Sequence, residues 1–178
     1  MNEAQLIIRK ATINDSSLIA DFGARTFREA YAASNSPEEL AEYVSFNFND
    51  AHIEAQLKNP AATFLLAYMS GELVGYAMLL ADVSPAETAD SNPVELVRIY
   101  VDGKRIGEGF GSSLMAACLK HSEAAGHDVI WLGVWEHNEQ AIAFYNRWGF
   151  RKVGLKAFLL GNEVQRDLIM SREIFQDF

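Results

Sequence analysis

The sequence is poor in cysteine and contains no long apolar run. Cys118 is the single cysteine among 178 residues, so an internal disulfide is excluded and no oxidising compartment is required. No stretch approaches the roughly 20 apolar residues of a membrane-spanning helix, and the first ten residues lack a basic segment followed by an apolar one. We therefore expect a cytoplasmic protein that is neither exported nor inserted into a membrane.

Basic residues are also scarce. Lys and Arg number 15 against 24 Asp and Glu, which gives a formal net charge of −9. Proteins bind the phosphate backbone of nucleic acids through clustered Lys and Arg, so this composition disfavours a nucleic-acid partner. An acidic surface suits cationic small molecules better, although acidity that serves only solubility explains the charge equally well.

The sequence offers no pattern of metal ligands. His52, His121, His127 and His137 are not spaced as ligands, and paired cysteines are absent. Cys118 falls on the apolar stripe of a predicted helix, which favours a core position over a role as nucleophile. We predict no metal site.

Apolar residues make up 49% of the chain and alternate between strand and helix periodicities. This pattern predicts one mixed α/β domain over residues 1–178. Strands are predicted at QLIIRKAT, TFLLAYM, LVGYAMLLA, VELVRIYV and VIWLGVW, with a final hairpin that turns near Gly161-Asn162. Residues 83–93 carry breaker residues without periodicity and predict a mobile surface loop.

Helices are predicted in four places. The first ends near Tyr31, and the second begins at Pro37 behind a Ser36 cap and continues to about Lys58. The third carries apolar residues at helical spacing from Phe110 and ends before Gly126. In the fourth, Asn138 caps a helix that runs through Trp148.

Gly107, Gly109 and Gly111 lie between a predicted strand and a predicted helix. Glycine lets backbone N–H groups approach an anion, and the first turn of the following helix adds free donors and a positive dipole end. A nucleotide-triphosphatase loop is excluded because Gly111 is followed by Ser112 instead of Lys. A dinucleotide-binding turn is a near miss, since Ser112 occupies the position of its third glycine.

Two motifs resemble the GNAT superfamily of N-acetyltransferases, and the likeness extends over nearly the whole chain. The family's acetyl-CoA signature is Arg or Gln, then any two residues, Gly, any one residue, and Gly or Ala. The segment YVDGKRIGEGFGSSLM is similar to this signature. NEQAIAFYNRWGF matches the second family pattern at Asn138, Ala141, Phe144, Tyr145, Gly149 and Phe150. Ile106 stands where the family usually has Arg or Gln, with Arg105 one residue earlier. Similarity to the PaiA-like polyamine acetyltransferase branch is found in three further segments, ELVRIYV, TFREAYAA and LGNEVQRDLIM.

The resemblance implies a twisted, mixed, mostly antiparallel sheet flanked by helices, the GNAT type of α/β (α+β) fold. It also implies that acetyl-CoA binds where strands 94–101 and 129–135 separate. The pantetheine arm would pair with backbone groups of one strand, and the glycine turn would hold the pyrophosphate. The implied coenzyme-binding residues are Ile99, Tyr100, Val101, Ile106, Gly107, Glu108, Gly109, Phe110, Gly111, Ser112, Asn138 and Tyr145. A plain helix cap is the alternative role for Asn138.

Two residues match the family's catalytic positions. Glu95 would take the proton from the ammonium, directly or through water, since an amine with a pKa near ~10 must lose a proton before it attacks a thioester. Strand alternation would place Glu95 on the same face as Val97, Ile99 and Val101. Tyr145 would hydrogen-bond the coenzyme sulfur and protonate the thiolate. The alternatives are an ion pair for Glu95 and a core aromatic for Tyr145.

The function implied by the resemblance is direct transfer of the acetyl group of acetyl-CoA to an amine, without an acetyl-enzyme. The acceptor would enter beside the first two helices and the 83–93 loop, and a polyamine or another small cationic amine is the first candidate. A protein N-terminal acetyltransferase, an acetyl-CoA sensor without catalysis and a misread dinucleotide-binding module remain alternatives. Homodimers are common in the family.

Overall fold

The computed structural model describes residues 5–85, 88, 91–160 and 163–174 of the chain. Its helices are α1 (Ser16–Tyr31), α2 (Pro37–Asn47), α3 (Asp50–Lys58), α4 (Phe110–Ala124) and α5 (Glu139–Arg147). Its strands are β1 (Leu6–Lys10), β2 (Ala62–Met69), β3 (Glu72–Ala81), β4 (Pro93–Val101), β5 (Val129–Trp135), β6 (Arg151–Leu160) and β7 (Glu163–Glu173).

In this part of the chain the strands form one seven-stranded sheet in the order β1-β2-β3-β4-β5-β7-β6. Neighbouring strands are antiparallel except for β4 and β5, which are parallel. The predicted fold class, a mixed and mostly antiparallel sheet flanked by helices, is confirmed.

Local sequence signals set several element boundaries. Ser70 and Gly71 form a two-residue turn between β2 and β3, and both have positive φ, 53° and 84°, as the tightest hairpins require. Ser36 caps α2: its Oγ accepts from the backbone N–H of Glu39 at 3.2 Å, and the Glu39 carboxylate accepts from the Ser36 N–H at 3.2 Å. The predicted start of α2 is confirmed.

The prediction of one helix from Pro37 to Lys58 is wrong, because the chain breaks between α2 and α3. Phe48 leaves the helical conformation at φ −126° and ψ 41°, and the side chain of Asn49 starts α3 by accepting from the His52 N–H at 2.8 Å. The break buries the Phe48 ring, which is 6% exposed, against the rings of Phe27 and Tyr100.

The helices cover the two faces of the sheet. On one face, residues of α4 and α5 pack with the inward side chains of β2 to β5 and β7; the buried members include Leu65, Ala77, Leu96, Leu114, Met115, Ile130, Leu132 and Met170. On the other face, α1, α2 and α3 cover Leu66, Tyr76 and Met78. We call the first the α4 face and the second the α1 face.

Two predicted connections fall partly outside the described residues. The turn of the last hairpin, Gly161-Asn162, is not described, but Leu160 pairs with Glu163 on either side of it. Residues 86, 87, 89 and 90 of the predicted 83–93 loop are likewise not described, and Pro93 already belongs to β4. Within the described ranges, no helix has the length and apolar character needed to cross a membrane.

A Gly23→Ala variant tests the packing beneath α1. An added Cβ would lie 2.6 Å from Cδ1 of Phe48 and 2.8 Å from the hydroxyl of Tyr76, so we expect a loss of about 1–3 kcal/mol in the free energy of unfolding. Gly111→Ala is the matched control, because its Cβ would meet Phe144 and Val101 at 3.7 Å and alanine favours helix by up to about 1 kcal/mol. Denaturant unfolding that gives both variants the same change would contradict this account.

Candidate active site

Strand β4 separates from β5 soon after it begins. The parallel ladder contains three pairs: Pro93 with Val129, Val94 with Ile130, and Glu95 with Trp131. On its other edge β4 stays paired with β3 as far as Val101. Among the described strands none pairs with the β5-facing edge of residues 96–101, so this edge can accept an added strand-like ligand. The predicted separation of these two strands is confirmed.

A β-bulge at Val97 changes which residues of β4 share a face. Leu96 pairs with Leu79 and Arg98 with Met78, so Val97 has no partner in β3. The prediction that Glu95, Val97, Ile99 and Val101 share one face is therefore wrong. Ile99 and Val101 pack on the α4 face, whereas Val97 and Tyr100 pack on the α1 face. Simple alternation fails because the bulge inserts one residue.

The glycine turn is open to a ligand. Gly107 and Gly109 have φ of 94° and 89°, a conformation that side chains disfavour, and no atom lies within 4 Å of an added Cβ at either position. The first backbone bond of α4 runs from the Ser113 N–H to the Gly109 carbonyl at 3.0 Å. The N–H groups of residues 110–112 precede it and are free of intrahelical partners. An anionic ligand would find donors and a helix N-terminus here.

Two other residues of the predicted set have different local roles. The N–H of Glu108 donates to the Arg105 carbonyl at 3.3 Å, and its carboxylate accepts from Arg105 Nε at 2.8 Å. Ile106 is extended and 59% exposed. The Arg105 guanidinium lies 5.0 Å from the ring centroid of Phe110, so a cation lies beside the turn although Ile106 occupies the usual Arg or Gln position.

Glu95 lies at the last paired position of β4, with its side chain 15% exposed. Burial raises the pKa of its carboxyl above the usual value, and the positive charge of Lys156 opposes that rise. Lys156 Nζ is 3.9 Å from Glu95 Oε1. Glu95 therefore has an ion-pair partner, a lysine on β6, and still carries the raised pKa that suits a general base near neutral pH.

Lys156 crosses the α1 face of the sheet below α1 and α2. Its ammonium lies 5.3 Å from the ring centroid of Trp131. An added Cβ at Gly133 would be 2.5 Å from Lys156 Cε and 3.2 Å from Asp167 Oδ2. Glu95, Lys156 and Asp167 thus lie on one surface, which we call the acceptor face.

Tyr145 lies on α5 and is partly buried on the α4 face. Its ring makes edge and tilted contacts with Phe144 and Phe150 at centroid distances of 5.5 and 5.8 Å. Burial raises the pKa of its phenol well above 10. The hydroxyl therefore stays protonated near neutral pH, which makes it a hydrogen-bond donor to a sulfur and a weak acid towards a thiolate.

Asn138 caps α5 as predicted, accepting from the Ala141 N–H at 3.2 Å. Its side chain also hydrogen-bonds Tyr31, which lowers the phenol pKa, but burial and the charge of Asp167 together raise that pKa to about 12. Asn138 thus links α5 to α1 across the separation of the strands. Its role as a coenzyme ligand remains a prediction.

Sequence reasoning missed Lys156, Asp167 and Trp131 on the acceptor face. The one available signal was a charged residue, Asp167, directly before the apolar run Leu168-Ile169-Met170 in a predicted strand. Cys118 is buried, which raises its thiol pKa to about 12, so the structure offers no support for a thiolate nucleophile. The described residues contain no group of three or more potential metal ligands.

Comparison with known proteins gives concordant matches. The acetyltransferase (GNAT) family matches residues 25–150. An uncharacterised N-acetyltransferase of Lactobacillus delbrueckii subsp. lactis is 30% identical over 149 residues, which cover 84% of this chain and 86% of that protein. The spermine/spermidine N(1)-acetyltransferase of Bacillus subtilis is 33% identical over 85 residues, which cover 47% of this chain and 56% of that protein.

A solved structure has a similar fold. The PaiA N-acetyltransferase of Thermoplasma acidophilum, in complex with coenzyme A, superposes with a TM-score of 0.77 at 21% identity and covers 95% of this chain and 99% of that one. At this identity the likeness concerns the fold.

Proposed function

Because this chain belongs to the acetyltransferase (GNAT) family, we propose that it transfers the acetyl group of acetyl-CoA directly to the amine of a small cationic acceptor. The observation that carries this proposal is the separation of β4 from β5 after Glu95, next to an open glycine turn. The buried carboxylate lies where the gap begins, and the glycine turn follows at the other end of the open edge, so a donor laid along this edge would bring its far end to Glu95.

The residues present fit coenzyme A. The free edge of β4 at Ile99, Tyr100 and Val101 offers backbone groups to the amide-containing pantetheine arm. Residues 110–112 offer free main-chain N–H donors at a helix N-terminus to a diphosphate, and the Arg105 guanidinium lies beside them, paired with Glu108. The open space at the Cβ positions of Gly107 and Gly109 leaves room for the anion.

Acetyl-CoA supplies an activated acetyl thioester. Glu95 supplies the complementary function: its carboxylate accepts the proton that the acceptor ammonium must lose. Its raised pKa keeps it basic enough for that transfer at neutral pH. Tyr145 donates a hydrogen bond to the leaving sulfur, and its high pKa favours this donation over full proton transfer.

We infer a polyamine or a similar cationic amine as the acceptor. The net charge of −9, the carboxylates of Glu95 and Asp167 on the acceptor face and the partial match to a spermine/spermidine acetyltransferase support this class. We further propose a cytoplasmic protein, consistent with its one buried free thiol, and a homodimer as in related enzymes.

Replacement of Glu95 by Gln tests the general base. At pH 7 we expect kcat to fall by about 10²-fold or more. The deficit should shrink towards pH 10, where the acceptor amine loses its proton in solution. Steady-state rates of thiol release across pH measure both effects. Glu123→Gln, an exposed position on α4, is the charge-matched control, and an unaltered pH profile in Glu95→Gln would remove Glu95 from the mechanism.

Replacement of Lys156 by Met tests the electrostatic control of Glu95. Lys156 holds the pKa of Glu95 down, so its removal should raise that pKa. Because Glu95 works in its ionised form, the fall in kcat/KM on acidification should then begin at higher pH. The pH profile of kcat/KM measures the shift. If the acidic side of this profile moves to lower pH or does not move, the role of Glu95 as general base is contradicted.

An acceptor panel tests the proposed activity. Thiol release from acetyl-CoA should be stimulated by spermidine above monoamines, N-terminal peptides and an aminoglycoside, and spermidine at background rate would overturn the polyamine assignment. The melting temperature should rise with coenzyme A but not with a nicotinamide dinucleotide, since only a ligand of the native state stabilises it. A rise with coenzyme A but no accepted amine would favour a sensor.

A further inference from the structure

The acceptor face contains a second buried carboxylate besides Glu95. Asp167 of β7 is 7% exposed and pairs across the sheet with Trp135 of β5 and Lys156 of β6. Within the described residues its carboxylate makes no hydrogen bond and no ion pair within 4 Å; burial raises its pKa, and the charge of Lys156 opposes the rise. A mostly buried carboxylate without a protein donor favours a cation that reaches it from solvent.

Asp167 lies on the acceptor face together with Glu95. Lys156 Nζ lies 3.9 Å from Glu95 Oε1, while the Cβ position of Gly133 lies 2.8 Å from that Nζ and 3.2 Å from Asp167 Oδ2. The sum of these three distances sets an upper limit of about 10 Å on the separation of Glu95 Oε1 and Asp167 Oδ2. The chain's own primary ammonium already lies between the two carboxylates, which shows that this surface accommodates such a group.

In the described part of the chain, the cations near the two carboxylates are Lys156 and Arg98, and neither forms an ion pair within 4 Å of the Asp167 carboxylate. Lys156 lies within ion-pair distance of Glu95, at 3.9 Å, and its side chain is 37% exposed. Arg98, also on the α1 face, bonds Gln56 Oε1 at 3.0 Å and lies 4.8 Å from the Phe48 ring centroid, towards α3. Among the described residues, the two carboxylates of the acceptor face therefore share one close cation, Lys156, which leaves this surface with an excess of negative charge.

Aromatic side chains surround this position. The rings of Tyr31 and Trp135 lie 6.4 Å apart. The charge of Asp167 contributes, after burial, to the raised pKa of Tyr31 and of Tyr43, so both phenols lie within its electrostatic reach. Aromatic rings and a carboxylate together form the usual environment for a bound ammonium group.

We propose that Asp167 binds a second ammonium group of the acceptor while Glu95 receives the proton from the reacting one. Ammonium groups separated by three or four methylenes are about 5–6 Å apart, and a hydrogen bond of about 2.8 Å at each end gives a span of at most about 10–12 Å when all groups are collinear. The two carboxylate oxygens lie no more than about 10 Å apart, so such a diamine bridges them with its two hydrogen bonds bent towards each other. The inference rests on the proposed acetyl transfer and narrows its substrates to diamines and polyamines of this spacing.

The test compares 1,4-diaminobutane with 1-aminopentane, in which a methyl group replaces the distal ammonium. The wild-type protein should have a kcat/KM at least tenfold higher for the diamine. Asp167→Asn, which keeps shape but removes charge, should lower the diamine-to-monoamine ratio of kcat/KM by about 10- to 100-fold. Glu123→Gln on the opposite face should leave that ratio unchanged, and a coenzyme A melting shift in Asp167→Asn checks that the variant is folded.

The outcomes are distinct. If Asp167→Asn leaves the diamine-to-monoamine ratio of kcat/KM unchanged, the proposal is overturned, because the negative charge at position 167 would then not be needed for selection of the diamine. If that variant does not fold, the wild-type ratio decides, and equal use of both amines would overturn the proposal as well. Turnover of neither amine, nor of any other in the panel, would instead overturn the proposed acetyl transfer.

Discussion

The candidate site depends on one constraint, the early end of the parallel pairing between β4 and β5. Three residue pairs hold the two strands together, and among the described strands β3 is then the only neighbour of β4. Backbone N–H and C=O groups need partners, so the open edge of residues 96–101 is a strand-shaped binding surface within the sheet. The glycine turn follows at the end of this edge, which places an anion site in line with it.

The bulge at Val97 places Glu95 on the opposite face of the sheet from Ile99 and Val101. Before the bulge, Glu95 lies on the acceptor face. After the bulge, Ile99 and Val101 face α4. Coenzyme binding and acceptor binding can therefore share one strand without competing for side chains. The same arrangement buries Glu95 and Asp167 near Lys156, so the acceptor face combines two desolvated carboxylates with one cation. Such a surface favours an acetyl acceptor that carries an ammonium group.

The sequence predicted the parts of this arrangement that depend on local signals. The strand, glycine turn and helix around residues 94–124, the Asn138 cap and the Ser36 cap follow from spacing and residue type, and the structure contains them. The bulge could not be predicted, since it arises from pairing between β3 and β4. The break at Phe48 depends on burial of its ring among distant residues.

Long-range pairing also explains why the acceptor face was missed. Lys156 and Asp167 come together through the pairing of β6 with β7 and lie 61 and 72 residues after Glu95 in the chain. No local pattern predicts their proximity. The resemblance to a family supplied Glu95 and Tyr145 as candidates because motifs around them are local. The residues that would choose the acceptor required the three-dimensional structure.

Amide hydrogen exchange with and without coenzyme A tests the central claim most directly. If the open edge of β4 and the glycine turn bind the coenzyme, exchange should slow in residues 97–101 and 106–112, with smaller changes in β1 and β2. Saturable binding that leaves exchange in both segments unchanged would contradict the account.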